Sequence, residues 1–366
     1  FIGAYYTQQG ITPLQIGILT SIGPVVSILI QPMWAYISDR SGRHRLVLII
    51  VSIGSGAAIL SYLVRVSFGA FMVATVLLTI FNTSILPLSD ALVTNLAAKL
   101  EANFAHIRMG GTIGFAITAL VLGNFLKRRP ALIFVLGSAG YFLLVGFLML
   151  LPEDRERTGK SRSRENGPDS KRIFKNKQIY LVLFLAFIMQ LGMSFTGTFY
   201  SVYVISLGYG QSIVGLSSFI SAMSEVPILM CANRLIRKFG AVNLLIFSVL
   251  MMALRLLFAG SGVLPLMLLS QLLQSVTYMT SYYSCVMFIS ENVVEGKISQ
   301  GQSRLAIVQA GIGAVSGNIL GGLMTDRFGV HRSFMVMSAC VLLTACLNAG
   351  LVCRYNRRKK AGMCVQ

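Results

Sequence analysis

Acidic side chains are scarce, with only 12 Asp and Glu in 366 residues. Charged residues of both signs make up 12% of the chain, where a soluble domain carries about 25%. So little charge cannot cover a water-facing surface, which excludes a single soluble domain, a disordered chain and a coiled coil. Histidine is rarer still, at three, and His44, His106 and His331 lie far apart. The six cysteines form no CxxC pair and no Cys/His cluster, so neither a metal site nor a disulfide framework is indicated. There is no P-loop, no dinucleotide fingerprint and no Ser/His/Asp arrangement. The chain is therefore not expected to be an enzyme, to hold a cofactor or to drive transport with ATP.

What is present is apolar length. Hydrophobic residues account for 55% of the chain. About 20 apolar residues suffice to cross a bilayer as a helix. Complete spans are expected at 13–37, 44–64, 69–97, 105–126, 131–151, 178–206, 211–236, 240–260, 263–290, 302–325 and 331–353. Residues 1–7 open in mid-pattern and read as the tail of a twelfth, so helix 1 is expected to be truncated at its N-terminal end in this sequence.

The 31 Lys and Arg give a net charge of +19, which suits either nucleic acid or a membrane surface. Their placement decides. One set of loops and the tail hold 24 of them, the opposite loops hold Arg65, Lys127, Arg128, Arg129, Arg327 and Arg332, and Arg255 lies within a span. By the positive-inside rule the first set faces the cytoplasm. Both termini are then inside a cytoplasmic (inner) membrane, and the partners are the lipid bilayer and a small-molecule substrate, with no nucleic acid.

Residues 152–177 are polar and basic with no apolar period, which reads as a cytoplasmic linker. It divides the chain into an N-terminal bundle (1–151), a C-terminal bundle (178–353) and a basic tail (354–366). A shift of 198 residues superposes Tyr5 on Tyr203, Gly10 on Gly208, Gly17 on Gly215 and Gly42 on Gly240. Repeated halves with a site between them at mid-membrane are a transporter architecture. The expected fold is an all-α membrane protein of two six-helix bundles related by a pseudo-two-fold.

Between the second and third spans stands Ala35-Tyr-Ile-Ser-Asp39-Arg40-Ser-Gly42-Arg43-His-Arg45. It resembles the helix 2–3 signature of the major facilitator superfamily, with Ala35 where the family usually has Gly. The resemblance implies a gating loop in which Asp39, Arg40, Gly42 and Arg43 latch one state. A related string, Gly322-Leu-Met-Thr-Asp326-Arg327-Phe-Gly329, falls on the outer side and reads as a turn.

In helices 4 and 5, Pro87-Leu-Ser-Asp90, His106-Ile-Arg108-Met-Gly-Gly and Phe115 resemble the lactose-permease-type oligosaccharide:proton symporters and their phenylpropionate-permease-like relatives. Asp90 and Arg108 are 18 apart and Phe115 follows Arg108 by seven, as in the sugar members. That resemblance implies that the acid–Arg pair and the aromatic hold substrate. It also makes Glu225 the proton-coupling acid and Arg255 its partner. Helix 10 departs from the pattern, with Gln271, Gln274 and Thr277 where the relatives have Lys, His and Glu.

Charged groups within spans are costly and default to function. Asp90, Arg108, Glu225 and Arg255 are such groups, two of each sign. Gln271, Gln274 and Tyr278 are spaced to share one helical face and can bind hydroxyl groups. The expected substrate site is thus Asp90, Arg108, Phe115, Glu225, Arg255, Gln271, Gln274 and Tyr278, with Glu225, Asp90 and Arg255 coupling a proton. Tyr5, Tyr6, Tyr200 and Tyr203 are further aromatic candidates. Gly311, Gly313, Gly317, Gly321 and Gly322 read as close-packing positions. The function that fits is secondary transport of a small polar solute (a sugar, nucleoside or aromatic acid) by alternating access, as proton-coupled uptake by a monomer. The alternatives are an exporter of amphipathic compounds and, remotely, a non-transporting receptor on a transporter fold.

Overall fold

The computed structural model describes residues 1–99, 104–126, 129–151, 174, 178–294 and 298–360. Most of the 152–177 linker, the end of the tail, Lys127 and Arg128 lie outside the described residues, as does the side chain of Arg108.

The described residues are almost wholly helical. In chain order the helices are α1 Ile2–Gln8, α2 Pro13–Ser41, α3 His44–Leu60, α4 Phe68–Asn82, α5 Ile85–Lys99, α6 Phe104–Leu126, α7 Leu132–Leu150 and α8 Gln178–Ser206. They continue as α9 Gln211–Phe239, α10 Ala241–Ala259, α11 Leu264–Leu272, α12 Thr280–Asn292, α13 Ile298–Ala306, α14 Ala314–Phe328 and α15 Val330–Lys360. Two π-helical stretches, Ser275–Met279 and Ile307–Gly313, join α11 to α12 and α13 to α14.

Among the described residues, nine helical segments are long and apolar enough to cross a membrane. The two expected spans outside that set, 211–236 and 263–290, are helical too. The outward surface is apolar, with Leu29 71%, Phe147 62% and Leu150 82% exposed. Such a surface suits lipid and not water.

Helix ends follow local chemistry. Thr12 caps α2 in a capping box: Gln15 N donates to Thr12 Oγ1 at 3.3 Å, and Thr12 N donates to Gln15 Oε1 at 3.1 Å. Pro13 follows at the first helical position, where its missing N–H costs nothing. Thr12→Ala is expected to lower stability by about 1 kcal/mol, read as a fall in the detergent unfolding midpoint. The repeat seen in the sequence recurs in the backbone. Gly10 and Gly208 have φ of 74° and 83°, and Gly42 and Gly240 have 62° and 79°. Both pairs end a helix in a region that L side chains rarely adopt. The Gly322–Phe328 string, read as a turn, is instead the end of α14, and only Gly329, at φ 79°, breaks the helix before α15.

The chain divides into two compact units, Phe1–Glu165 with Val204–Phe219, and Asn166–Tyr203 with Ile220–Gln366. One boundary therefore falls inside α9. In the first unit Val47, Leu48 and Val51 of α3, Leu88 and Leu92 of α5 and Leu148 of α7 form a buried apolar cluster. At the α1 end Tyr5 and Tyr62 meet the Phe134 ring at 4.8 and 4.7 Å between centroids. Tyr62 also shares a 2.8 Å hydrogen bond with Thr75. Tyr5 and Tyr6, read as possible substrate contacts, are buried core residues of this aromatic cluster. α6 also meets the first turns of α9 in this unit through glycine: a Cβ on Gly123 would lie 3.0 Å from Gly215 Cα.

In the second unit a glycine stripe on the second π-helical stretch and α14 lies against α8. A Cβ at Gly313 would stand 3.0 Å from Gln190 Cβ, one at Gly317 would meet the Leu191 carbonyl, and one at Gly321 would meet the Phe195 and Phe199 rings. This is the small-residue packing expected of membrane helices.

Candidate functional site

In the second unit the sequence candidates of α9, α10 and the α11–α12 segment converge. Glu225 lies in the middle of α9, two residues before Pro227. Its half-buried carboxylate accepts a hydrogen bond from Gln274 Nε2, with Oε1 at 3.2 Å. The preceding Ser224 hydroxyl reaches the Gln271 carbonyl at 3.5 Å. The Gln271 side chain is buried and donates to Ser270 Oγ at 3.2 Å.

Arg255 stands on α10 and is 4% exposed. Its Nη1 donates to Met193 Sδ of α8 at 3.1 Å and to Thr277 Oγ1 at 3.4 Å. The Thr277 hydroxyl in turn donates to the Leu273 or the Gln274 carbonyl, at 2.9 and 3.0 Å. Glu225 and Arg255 are thus held by Gln274 and Thr277, three residues apart on one element. No ion pair joins them among the described residues. Arg255 Nε is buried and has no hydrogen-bond partner.

The π-helical stretch begins one residue after Gln274. A π turn holds one more residue than an α turn and often marks a functional place in a helix. It changes the register assumed for Gln271, Gln274 and Tyr278. The residue brought to Arg255 is Thr277, while Tyr278 is 37% exposed and lies beside Tyr282 with ring centroids 6.3 Å apart. Met193 was not foreseen. Its only sequence signal is a thioether in an apolar span, and 62 residues separate it from Arg255. Tyr200 is buried and donates to the Met267 carbonyl at 3.3 Å. Tyr203 sits with His331, 3.2 Å from its Nδ1, and both approach the Gly260 carbonyl.

In the first unit Asp90 is half-buried on α5, and Phe115 is 61% exposed on α6. Whether Asp90 meets Arg108 lies outside the described residues. Asp39 and Arg40 are exposed in the last turn of α2, and in the two-residue link to α3 Gly42 is buried and Arg43 exposed. Arg40 Nη1 donates to the Tyr36 hydroxyl at 2.8 Å, Arg45 donates to the Met149 carbonyl at 2.9 Å, and Ser38 pairs with His44 at 2.6 Å.

Residues 1–336 match the model of the MFS_1 like family. The maltose permease of Geobacillus stearothermophilus is 24% identical over 90% of this chain and 83% of its own length. The probable 3-phenylpropionic acid transporter of Escherichia coli is 24% identical over 91% of this chain and 88% of its own. YwbF, an uncharacterized transporter of Bacillus subtilis, is 25% identical over 66% of this chain, and the match spans 60% of that protein's length. A crystal structure of the nucleoside transporter NupG superposes with a TM-score of 0.85 at 16% identity, covering 95% of this chain and 94% of that one. The fold is shared with that transporter.

Proposed function

The chain belongs to the MFS_1 like family of membrane transporters, and on that premise we propose that it takes up a small polar solute together with a proton. The solute is a sugar, a nucleoside or an organic acid, and it crosses by alternating access. Glu225 carries the proton and Asp90 is the second coupling acid. Gln271, Gln274 and Arg255 contact the solute, and the Asp39–Arg43 loop latches one state. The observation that carries this reading is the Glu225 carboxylate. It is half-buried in a membrane helix and held by the neutral donor Gln274, with no cation among the described residues bonded to it. A carboxylate in that setting can take up a proton without breaking an ion pair. The basic loops support an inner-membrane orientation with the cytoplasmic face on the 24-residue side.

The test is proton flux in proteoliposomes loaded with a pH indicator and offered a panel of sugars, nucleosides and organic acids. Solute-dependent alkalinisation of the medium, as protons enter with solute, is expected. Solute-dependent proton exit would identify an exporter instead, and no solute-linked flux with any class would refute proton coupling.

A further inference from the structure

We propose that Arg255 is the docking point for the carboxylate of a small organic monocarboxylic acid, so that the solute carried is an organic anion and not a neutral sugar or nucleoside. The inference rests on the transport reading above and names the solute class of the same site.

A guanidinium keeps its charge in proteins and offers five N–H donors in a planar fork. This one is 4% exposed within a membrane helix. Buried charges are normally paired. Arg255 has a thioether and a hydroxyl as its bonded partners, and its Nε is buried with none. Sulfur is a weak acceptor. The nearest acid of the site, Glu225, is bonded to Gln274 instead. The group that completes this set is a planar anion with two acceptor oxygens, which a carboxylate supplies in bidentate form. A sugar or nucleoside hydroxyl can accept from Nε but brings no charge.

The charge balance of the site explains coupling. Empty, Arg255 and an ionised Glu225 sum to zero. With the anion on Arg255 and a proton on Glu225 they sum to zero again. The anion alone leaves −1 and the proton alone leaves +1. Only the empty and the fully loaded site are neutral, and a net charge is costly in the hydrocarbon. One anion therefore crosses with one proton, and no net charge moves. A dianion would leave a surplus negative charge beside Glu225, which selects a monocarboxylate. With a neutral solute the loaded site would carry +1, and transport would respond to membrane potential.

The experiment uses the full chain purified in detergent, with benzoate, 3-phenylpropionate and lactate as probes, each compared with its amide, together with maltose and uridine. At least one carboxylate is expected to raise the unfolding midpoint in a concentration-dependent way, with its amide at least tenfold weaker. Arg255→Gln removes that shift and Arg255→Lys keeps a reduced one. If the variants do not fold, the acid–amide comparison on the unaltered chain decides alone. Stabilisation by maltose or uridine and by no carboxylate overturns the proposal, as does the absence of a shift with every carboxylate. Exchange across proteoliposome membranes separates the two levels. Exchange of a neutral solute leaves the transport reading standing and removes the anion assignment. Carboxylate binding with no exchange of that carboxylate removes the transport reading and keeps the site. Carboxylate uptake that is unchanged when the membrane potential is clamped supports both.

Discussion

Glu225→Gln is expected to abolish accumulation of solute against its gradient while leaving exchange of solute across the membrane. The substitution keeps shape and one acceptor oxygen. Gln274 Nε2, which donates to Glu225 Oε1 at 3.2 Å, can still donate to the amide carbonyl. What is lost is ionisation, so position 225 becomes a permanent mimic of the protonated acid. A binding site that no longer needs to gain or lose a proton can load, cross and unload in both directions, but it cannot use a proton gradient. An inward gradient of one pH unit supplies about 1.4 kcal/mol per proton, or about tenfold accumulation at balance. In proteoliposomes under that gradient the inside-to-outside ratio is expected to fall from about 10 to about 1. Exchange against preloaded solute should stay within a few-fold of the unaltered rate. A merely structural role for Glu225 predicts something else: both activities fall together, and the unfolding midpoint falls with them. Normal uphill accumulation by the variant would remove Glu225 from coupling. Asp90→Asn is the comparison, because Asp90 is the second proposed coupling acid.

Much of the helical order was legible because hydrophobic length is a one-dimensional property. The α2 start, and the turns at Gly10, Gly42, Gly208 and Gly240, also rest on local chemistry that each residue carries with it. The glycine stripe of α14 was legible for the same reason: small residues four apart have one obvious use in a membrane helix. The site was legible only in part. Glu225, Arg255 and Gln274 stand out because polar groups in apolar spans are costly, and they do come to one place. Their geometry was not legible. Spacing arguments presume 3.6 residues per turn, and the π-helical stretch at Ser275–Met279 breaks that premise between Gln274 and Tyr278. Pairings distant in sequence were hidden as well. Nothing in the order of residues joins Met193 to Arg255, or Tyr5 to Phe134, because those contacts depend on how whole helices pack. The aromatic residues of α1 were for that reason read as ligand contacts when they are core.

Gly317→Ala is expected to be the most damaging of the methyl additions considered at Gly313, Gly317 and Gly321. The added Cβ would meet the carbonyl of Leu191 on α8, a backbone atom that cannot rotate away. The helices must separate, whereas at Gly321 the neighbours are the Phe195 and Phe199 rings, side chains with some freedom. Overpacking a well-packed interior costs about 1–3 kcal/mol, and an obstacle made of backbone puts this case at the upper end. Separation also strains the 2.8 Å hydrogen bond from Thr198 to Asn318, which joins α8 to α14. Gly197→Ala on α8 is the internal control, since no atom lies within 4 Å of its would-be Cβ. Alanine there gains helix propensity of up to about 1 kcal/mol. Detergent unfolding should therefore show a marked fall for Gly317→Ala and no fall for Gly197→Ala. The consequence reaches the site, because Leu191 and Met193 are two residues apart on α8. A helix pushed away from α14 carries the Met193 sulfur off the 3.1 Å contact that holds Arg255. Gly317→Ala is thus expected to weaken carboxylate stabilisation even at temperatures where the chain remains folded. An unaltered carboxylate response in a folded Gly317→Ala protein would show that Arg255 does not depend on α8 for its position.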